Sequence, residues 1–445
     1  MSASLKTLHE LAAALAAGTT TSVRLVEDAL ARIEQHRAGG GVAYREIDAE
    51  SALLAAHASD QARKAGYVPG ALAGLPVSVK DLFDVQGQVS KAGSIALNNA
   101  APASQDAVAV ARLRQAGAIL LGRTNMSEFA FSGLGLNPHY GTPRAPHDEA
   151  RVAGGSSSGA AVSVALGMAA AALGTDTGGS IRIPSAFCGL TGFKPTAHRV
   201  PLAGALPLSS SLDSIGPLAV SVACCAAFDA AISGQTLDAR PADIRGLRLY
   251  VTRDLVCDGM DEEVAQAFEA SLQKLSKAGA TIVPFSLREL RELPRINASG
   301  GLTAAEAWTW HRKLLQAQGT CYDHRVAQRI RRGAEQSATD YIEVLAARRR
   351  LQAVAAERLR DADAWLMPTV AIKPPLVAFV ERDDEAFFET NSLVLRNPSV
   401  VNFLDGCAVS LPTGEPGIGV SVCGLRDQDA RVLQISASAQ LHAFV

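Results

Sequence analysis

Two glycine-rich segments that carry serines, and one lysine, are the residues of this chain whose types and spacing could do nucleophilic chemistry. The first segment, Gly154-Gly155-Ser156-Ser157-Ser158-Gly159, opens a strongly apolar stretch. Three small hydroxyl residues there could simply cap a helix by accepting its first N–H groups. The second segment, Gly174-Thr175-Asp176-Thr177-Gly178-Gly179-Ser180-Ile181-Arg182, runs from an apolar strand into two glycines and a serine. Glycines let backbone come close to a ligand, and successive N–H groups can form a nest for a developing oxyanion. A plain Gly-rich turn with a capping serine, braced by an Asp176–Arg182 ion pair, accounts for the same residues without chemistry. Lys80 ends the alternating run Gly74-Leu-Pro-Val-Ser-Val-Lys80. On an open face it would be an ordinary solvated lysine. Desolvated, it would lose its proton and become a base near neutral pH.

A serine hydroxyl needs a base and an oxyanion hole to cleave an amide. None of the nine histidines lies inside either serine segment, and the nearest in sequence are His147 and His198. A lysine base removes the need for one, although sequence distance leaves a histidine base open. Gly155-Ser156-Ser157-Ser158-Gly159 also fits the GxSxG elbow of an α/β-hydrolase esterase, with Ser157 as nucleophile. That alternative leaves the second segment and Lys80 without a role.

The elements that must position these groups alternate between helix and strand. The first 70 residues read as helical: Leu5, Leu8, Leu11, Ala12 and Leu15 share a face, Thr21 or Ser22 can cap a second helix, and a third spans about 49–64. Strands are expected at 74–81, 118–121, 172–174 and 192–194, with helices at 106–116 and 159–173 between them. Further strands are expected at 247–251, 281–284, 365–368 and 417–423. Helices are expected at 262–278, over 303–360, and at 429–441. This alternation predicts an α/β fold with a layered sheet.

Composition sets the outer bounds. The chain has 445 residues, 48% hydrophobic and 19% charged, with net charge −2. It can bury a large core, and it has no basic block that would suggest nucleic acid or an anionic membrane. The seven cysteines are odd in number and lack CxxC spacing, so neither a disulfide framework nor a zinc site is expected. Cys224-Cys225 reads as a buried pair in an apolar helix. The N-terminal stretch lacks a basic region before its apolar part, and the longest apolar run, from Ala160 to Leu173, falls short of the roughly 20 residues a bilayer needs. A cytoplasmic protein is expected.

At this point several long motifs stand in one order: GLPVSVKD, GRTNMSEFA, GGSSSG, GTDTGGSIRIPSAFCGLTGFKPT and LDSIGPLA. In these the chain resembles the amidase signature family, strongly over about 74–217 and more weakly over most of its length. The resemblance implies an amidase signature fold, with a central mixed β-sheet covered by helices on both faces. It also implies one domain over 1–445, with a helical segment at 1–70 and a variable specificity region at about 290–400. It implies hydrolysis of a linear carboxylic amide through an acyl-enzyme on Ser180. Ser156, after a cis Gly155–Ser156 peptide, would bond both Ser180 and Lys80 and relay the proton to Lys80 as base. Backbone N–H groups of Thr177, Gly178, Gly179 and Ser180 would hold the oxyanion, and the Ala130 backbone would line the site. Ser157 would orient Lys80, while Asp176 and Arg182 would brace the loop. Ser158 stands where the family often has Gly.

No metal or cofactor is implied, and the partner is a small-molecule amide. A homodimer is among the assemblies open to it. A second alternative lies inside the family: the glutaminase-type component of a tRNA-dependent amidotransferase. Its Arg-Tyr-Asp-Gly recognition segment is missing, with Arg325-Val-Ala-Gln-Arg329-Ile in its place. The third alternative is a binding module on the same scaffold, against which the intact Lys80, Ser156 and Ser180 argue. Specificity for an aliphatic, aryl, dicarboxylic or biuret-like amide would fall to residues outside the motifs. The candidates are Met126, Phe131, Trp308, Trp310, Tyr322, Leu395 and Asn402.

Overall fold

A computed structural model describes residues 5–444. Its strands are β1 Tyr44–Ile47, β2 Pro76–Lys80, β3 Ile119–Thr124, β4 Arg144–Ala145, β5 Asp148–Val152, β6 Ala171–Asp176 and β7 Thr191–Lys194. They continue with β8 Ser214–Ala219, β9 Arg248–Val251, β10 Thr281–Pro284, β11 Ala364–Pro368, β12 Cys407–Pro412 and β13 Gly419–Gly424. β4 and β5 form a separate hairpin, and the other eleven make one sheet in the order β1-β3-β2-β6-β8-β7-β12-β13-β11-β9-β10. The sheet is mixed: β2 runs parallel to β3 and β6, whereas β8 is antiparallel to β6 and β7.

Strand alternation explains how helices come to lie on both faces. Successive side chains of a strand point to opposite sides. Val77, Val79, Ala171 and Leu173 enter one apolar cluster together with Val110 and Leu113 of the helix Val108–Gln115 and Phe228 of the helix Val222–Ser233. Ile119, Leu121, Ala172 and Leu218 enter another, which holds Val26 and Ile33 of the helix Ser22–Ala38 and Val162 of the helix Ser158–Ala165. This is the mixed sheet covered on both faces that the family resemblance implied, and the α/β layering that the alternation predicted.

The helix starts follow local capping. Thr7 and Glu10 form a capping box for the first helix, Thr21 caps Ser22–Ala38, and Asp48 caps Ala49–Lys64. Residues 1–4 of the N-terminal stretch lie outside the described residues. One sequence expectation fails: the helix expected over 159–173 stops at Ala165, and β6 begins at Ala171. Gly167 takes a positive φ of 65°, and the N–H groups of Met168 and Ala169 both turn back to the Ser163 carbonyl. The helical 303–360 region breaks into Gly301–Gln318, His324–Glu335 and Ala338–Arg358, with Asp323 and Ser337 capping the last two. β8, β12 and the helix Asp384–Phe403 carry no clear sequence signal and emerge only in the structure. Among the described residues no helix is long and apolar enough to cross a membrane, and all seven cysteines are free thiols.

Candidate active site

β2 and β6 run side by side in the same direction, with Val79 opposite Leu173. Their carboxyl ends therefore deliver Lys80 and the Thr175-Asp176 pair to one edge of the sheet. Such ends are where open α/β sheets place their ligands. The helix Ser158–Ala165 starts beside them, with Ser157 as its N-cap.

Lys80 is fully buried. Its Nζ donates to Ser156 Oγ at 2.7 Å and to Thr175 Oγ1 at 2.8 Å, and no carboxylate pairs with it among the described residues. Burial pushes its pKa down to about 7, against the opposing pull of Asp176 and Asp213. The Gly155–Ser156 peptide is cis. Ser157, expected to orient Lys80, makes no hydrogen bond to it among the described residues. Its hydroxyl donates to the Thr175 carbonyl at 3.4 Å, and its N–H donates to the Ser180 carbonyl at 3.2 Å, so the second lysine partner is Thr175. Thr175 stands inside the second motif, yet sequence alone assigns it no role. The available signal is a hydroxyl near the end of the strand next to the lysine's. No hydrogen bond joins the Ser156 and Ser180 hydroxyls among the described residues.

The Ser180 loop is held from behind by Asp176. Its carboxylate accepts from Gly179 N at 2.9 Å, Ile181 N at 3.2 Å and Arg182 N at 3.3 Å. Arg182 adds Nε at 3.1 Å and Nη2 at 2.9 Å, and both side chains are fully buried. Burial alone would raise the Asp176 pKa, but the Arg182 charge holds it well below the usual carboxylate range. Asn402 completes the brace: it donates to the Asp176 carboxylate at 3.0 Å and accepts from Arg182 at 2.6 Å. Because the Gly179 N–H is spent on Asp176, it points away from oxyanion duty. The N–H groups of Thr177, Gly178 and Ser180 meet no acceptor among the described residues. Thr177 is held in turn through its hydroxyl, which donates to Asp213 at 2.5 Å. Asp213 also accepts from Leu208 N and Ser209 N, both at 3.0 Å, and burial raises its pKa to about 6. Asp213 sits inside LDSIGPLA, where its residue type alone does not disclose this contact.

Ser180, Thr177, Gly178 and Ala130 line a cavity of about 680 Å³. Ala130 has a φ of 59° and its N–H is taken by the Ser127 carbonyl at 3.0 Å. Of the seven candidate specificity residues, Phe131 and Leu395 line this cavity. Met126 is buried in the core, and Asn402 belongs to the Asp176 brace. Trp310 and Tyr322 pack around Phe129 and His311, while Trp308 lies beside Arg312 and Lys313 away from the cavity. Among the described residues the lining contains no histidine and no carboxylate; its charged side chains are Arg329, Arg332 and Arg396. No group of three potential metal-binding side chains occurs among the described residues.

Comparison with known proteins gives the class. The sequence profile of the family described as Amidase matches residues 24–433. A 2-amino-5-chloromuconic acid deaminase from Comamonas testosteroni is 37% identical over 452 residues, spanning 98% of this chain and 96% of its own. A glutamyl-tRNA(Gln) amidotransferase component from Chromohalobacter salexigens is 43% identical over 296 residues, which is 63% of this chain and 60% of that protein. A crystal structure of an amidase superposes with a TM-score of 0.90 at 33% identity, covering 98% of this chain and 100% of that one. The class is amide hydrolase. The chain belongs to the amidase signature family.

Proposed function

We propose that this chain hydrolyses a linear carboxylic amide to the acid and ammonia or an amine through an acyl-enzyme on Ser180. The Ser180 hydroxyl attacks the amide carbonyl as its proton passes to Ser156, and the Ser156 proton passes to neutral Lys80. The tetrahedral oxyanion is met by N–H donors of the Thr177–Ser180 loop, with those of Thr177, Gly178 and Ser180 free to serve. Lys80 then returns the proton through Ser156 to the leaving nitrogen, and water cleaves the ester by the same route. The Ser156–Ser180 contact closes when substrate orders the Ser180 rotamer, as such bonds commonly tighten only in the Michaelis complex.

One observation carries this reading: a fully buried lysine whose partners among the described residues are two hydroxyls and no carboxylate. Such a lysine can be neutral near pH 7, and its partner Ser156 adjoins Ser157, whose N–H meets the Ser180 carbonyl at 3.2 Å. Mass spectrometry of enzyme quenched during turnover of a simple amide tests it. An acyl adduct on Ser180 is expected, absent in Ser180→Ala. Turnover at the wild-type rate in Ser180→Ala would refute it.

The amidotransferase relative favours a second reading, glutamine hydrolysis in a larger complex. Arg325-Val-Ala-Gln-Arg329-Ile, standing where the glutamine-recognition segment would be, weighs against it. Comparing free glutamine with simple amides as substrates of the isolated chain separates the two. The Comamonas relative adds loss of ammonia from an aminomuconic acid to the reactions worth assaying.

A further inference from the structure

Three arginines of the helix His324–Glu335 face different fates. Arg325 is neutralised: its Nε lies 2.8 Å from the Asp384 carboxylate, and its guanidinium stacks 4.7 Å from the Phe387 ring. Arg329, one turn on, has no carboxylate partner among the described residues. Its Nη1 donates to the Phe131 carbonyl and its guanidinium lies 4.3 Å from the Phe131 ring centre. Arg332, three positions later on the same helix, has one acceptor among the described residues, the Ala298 carbonyl at 2.5 Å.

This arrangement is costly unless something answers it. Like charges at three-residue spacing on a helix repel. Buried charges are as a rule paired, and Arg329 is only partly exposed, with its pKa lowered to about 10 by burial and by Arg332. A guanidinium has five N–H donors in a planar fork suited to a carboxylate. Among the described residues only one of those on Arg329 is used, and the residue lines the same cavity as Ser180. Phe131, which anchors it, directly follows Ala130 of the site. Arg396 also lines the cavity, but its Nε, Nη1 and Nη2 are all engaged, at 3.1, 2.6 and 3.3 Å, by Asn397, Asp258 and Val256.

Resting on the amide-hydrolase reading above, we propose that the substrate is an amide bearing a free carboxylate, which supplies the counter-ion of Arg329, with Arg332 reinforcing the positive end of the cavity. Arg329 is therefore a specificity-determining residue. A neutral alkyl amide of the same length would offer the open donors of the guanidinium no counter-ion, and would be cleaved more slowly.

The test compares two matched series on the full chain: ω-carboxyl amides from malonamate to adipamate, and the neutral alkyl amides of equal length. The expected result is that at least one acidic amide exceeds its neutral partner in kcat/KM by about 10- to 100-fold, the range of one charge-assisted hydrogen-bonded contact. Arg329→Met should collapse that ratio mainly through KM, and Arg329→Lys should restore only part of it because the planar fork is lost. Arg331→Ala, on an exposed neighbour outside the cavity, should leave the ratio as it is. Should Arg329→Met fold poorly, a wild-type readout stands on its own: the free dicarboxylates should inhibit competitively more strongly than the matching monocarboxylates. Neutral amides cleaved as well as every acidic partner, or equal inhibition by both acid series, would overturn the proposal while leaving the acyl-enzyme reading intact. No cleavage of any amide in either series, with no adduct on Ser180, would sink the acyl-enzyme reading and this proposal with it.

Discussion

The protein buries two lysines at the ends of two strands, and their surroundings differ in one respect. Lys80 ends β2 and Lys194 ends β7, and burial lowers both, to about 7 and about 8. Lys80 is answered by the hydroxyls of Ser156 and Thr175. Lys194 is answered by the carbonyls of Pro195 and Gly406, both at 2.7 Å. A carbonyl can only accept, and its bond strengthens with charge on the donor. It holds a lysine in place and offers no proton. A hydroxyl can donate as well as accept, so it can pass a proton to a neutral amine. Desolvation alone therefore does not make a base; the partners decide whether a proton can move.

The largest effect that would sharpen this contrast is on turnover. Lys80→Ala should lower kcat/KM by at least about 10³-fold, the scale of a lost general base, while the protein stays folded. A variant that keeps a tenth of the activity would break the comparison from the Lys80 side. Asp176→Ala should cost about 3–5 kcal/mol in urea unfolding, because it strands the buried Arg182 charge, and it should lower activity by loosening the Ser180 loop. Lys194→Ala should reverse the Lys80 pattern. It leaves two buried carbonyls without a donor, at about 1–2 kcal/mol each, yet activity per folded molecule should stay within a few-fold. A smaller effect is expected of Thr175→Val. Losing one neutral hydrogen bond to Lys80 is worth about 1 kcal/mol, so turnover should fall roughly fivefold to tenfold with KM little changed.

The pH dependence of stability has a definite sign. Lys80 sits at about 7 when folded against its usual 10.5, so the folded state binds fewer protons through this window. Its cost to stability is full below about 7 and fades as pH rises towards 10.5. Lys80→Met should therefore gain more over wild type at pH 7 than at pH 10. An equal gain at both values would show that Lys80 is not neutral in the fold.

What sequence could and could not reveal follows from distance along the chain. Ser156, Ser180, Asp176 and Arg182 stand within two contiguous segments whose residue types already pose the chemistry. The Lys80–Thr175 bond spans 95 positions and the Thr177–Asp213 bond spans 36, and each depends on which strands lie side by side. The apolar run beyond Ala165 reads equally as helix or strand, and only the turn at Gly167 divides it. Trp308, Trp310 and Tyr322 suggest a pocket by their size alone. Helix periodicity does not say which face meets the cavity: Thr303 and Ala304 of the tryptophans' helix line it, and Arg329 reaches it from the next helix. The cavity's charge is invisible in sequence for the same reason, since arginines with and without partners look alike there.

The central claim, that Lys80 takes the nucleophile's proton as a neutral base, is tested most directly by single-turnover acylation of Ser180 across pH in wild type and Lys80→Arg. Wild type should show a rate that falls as pH drops through about 7, where Lys80 becomes protonated. Lys80→Arg should form no acyl-enzyme at any pH, because arginine stays charged and cannot accept a proton. Acylation of Lys80→Arg at a near wild-type rate would contradict the claim.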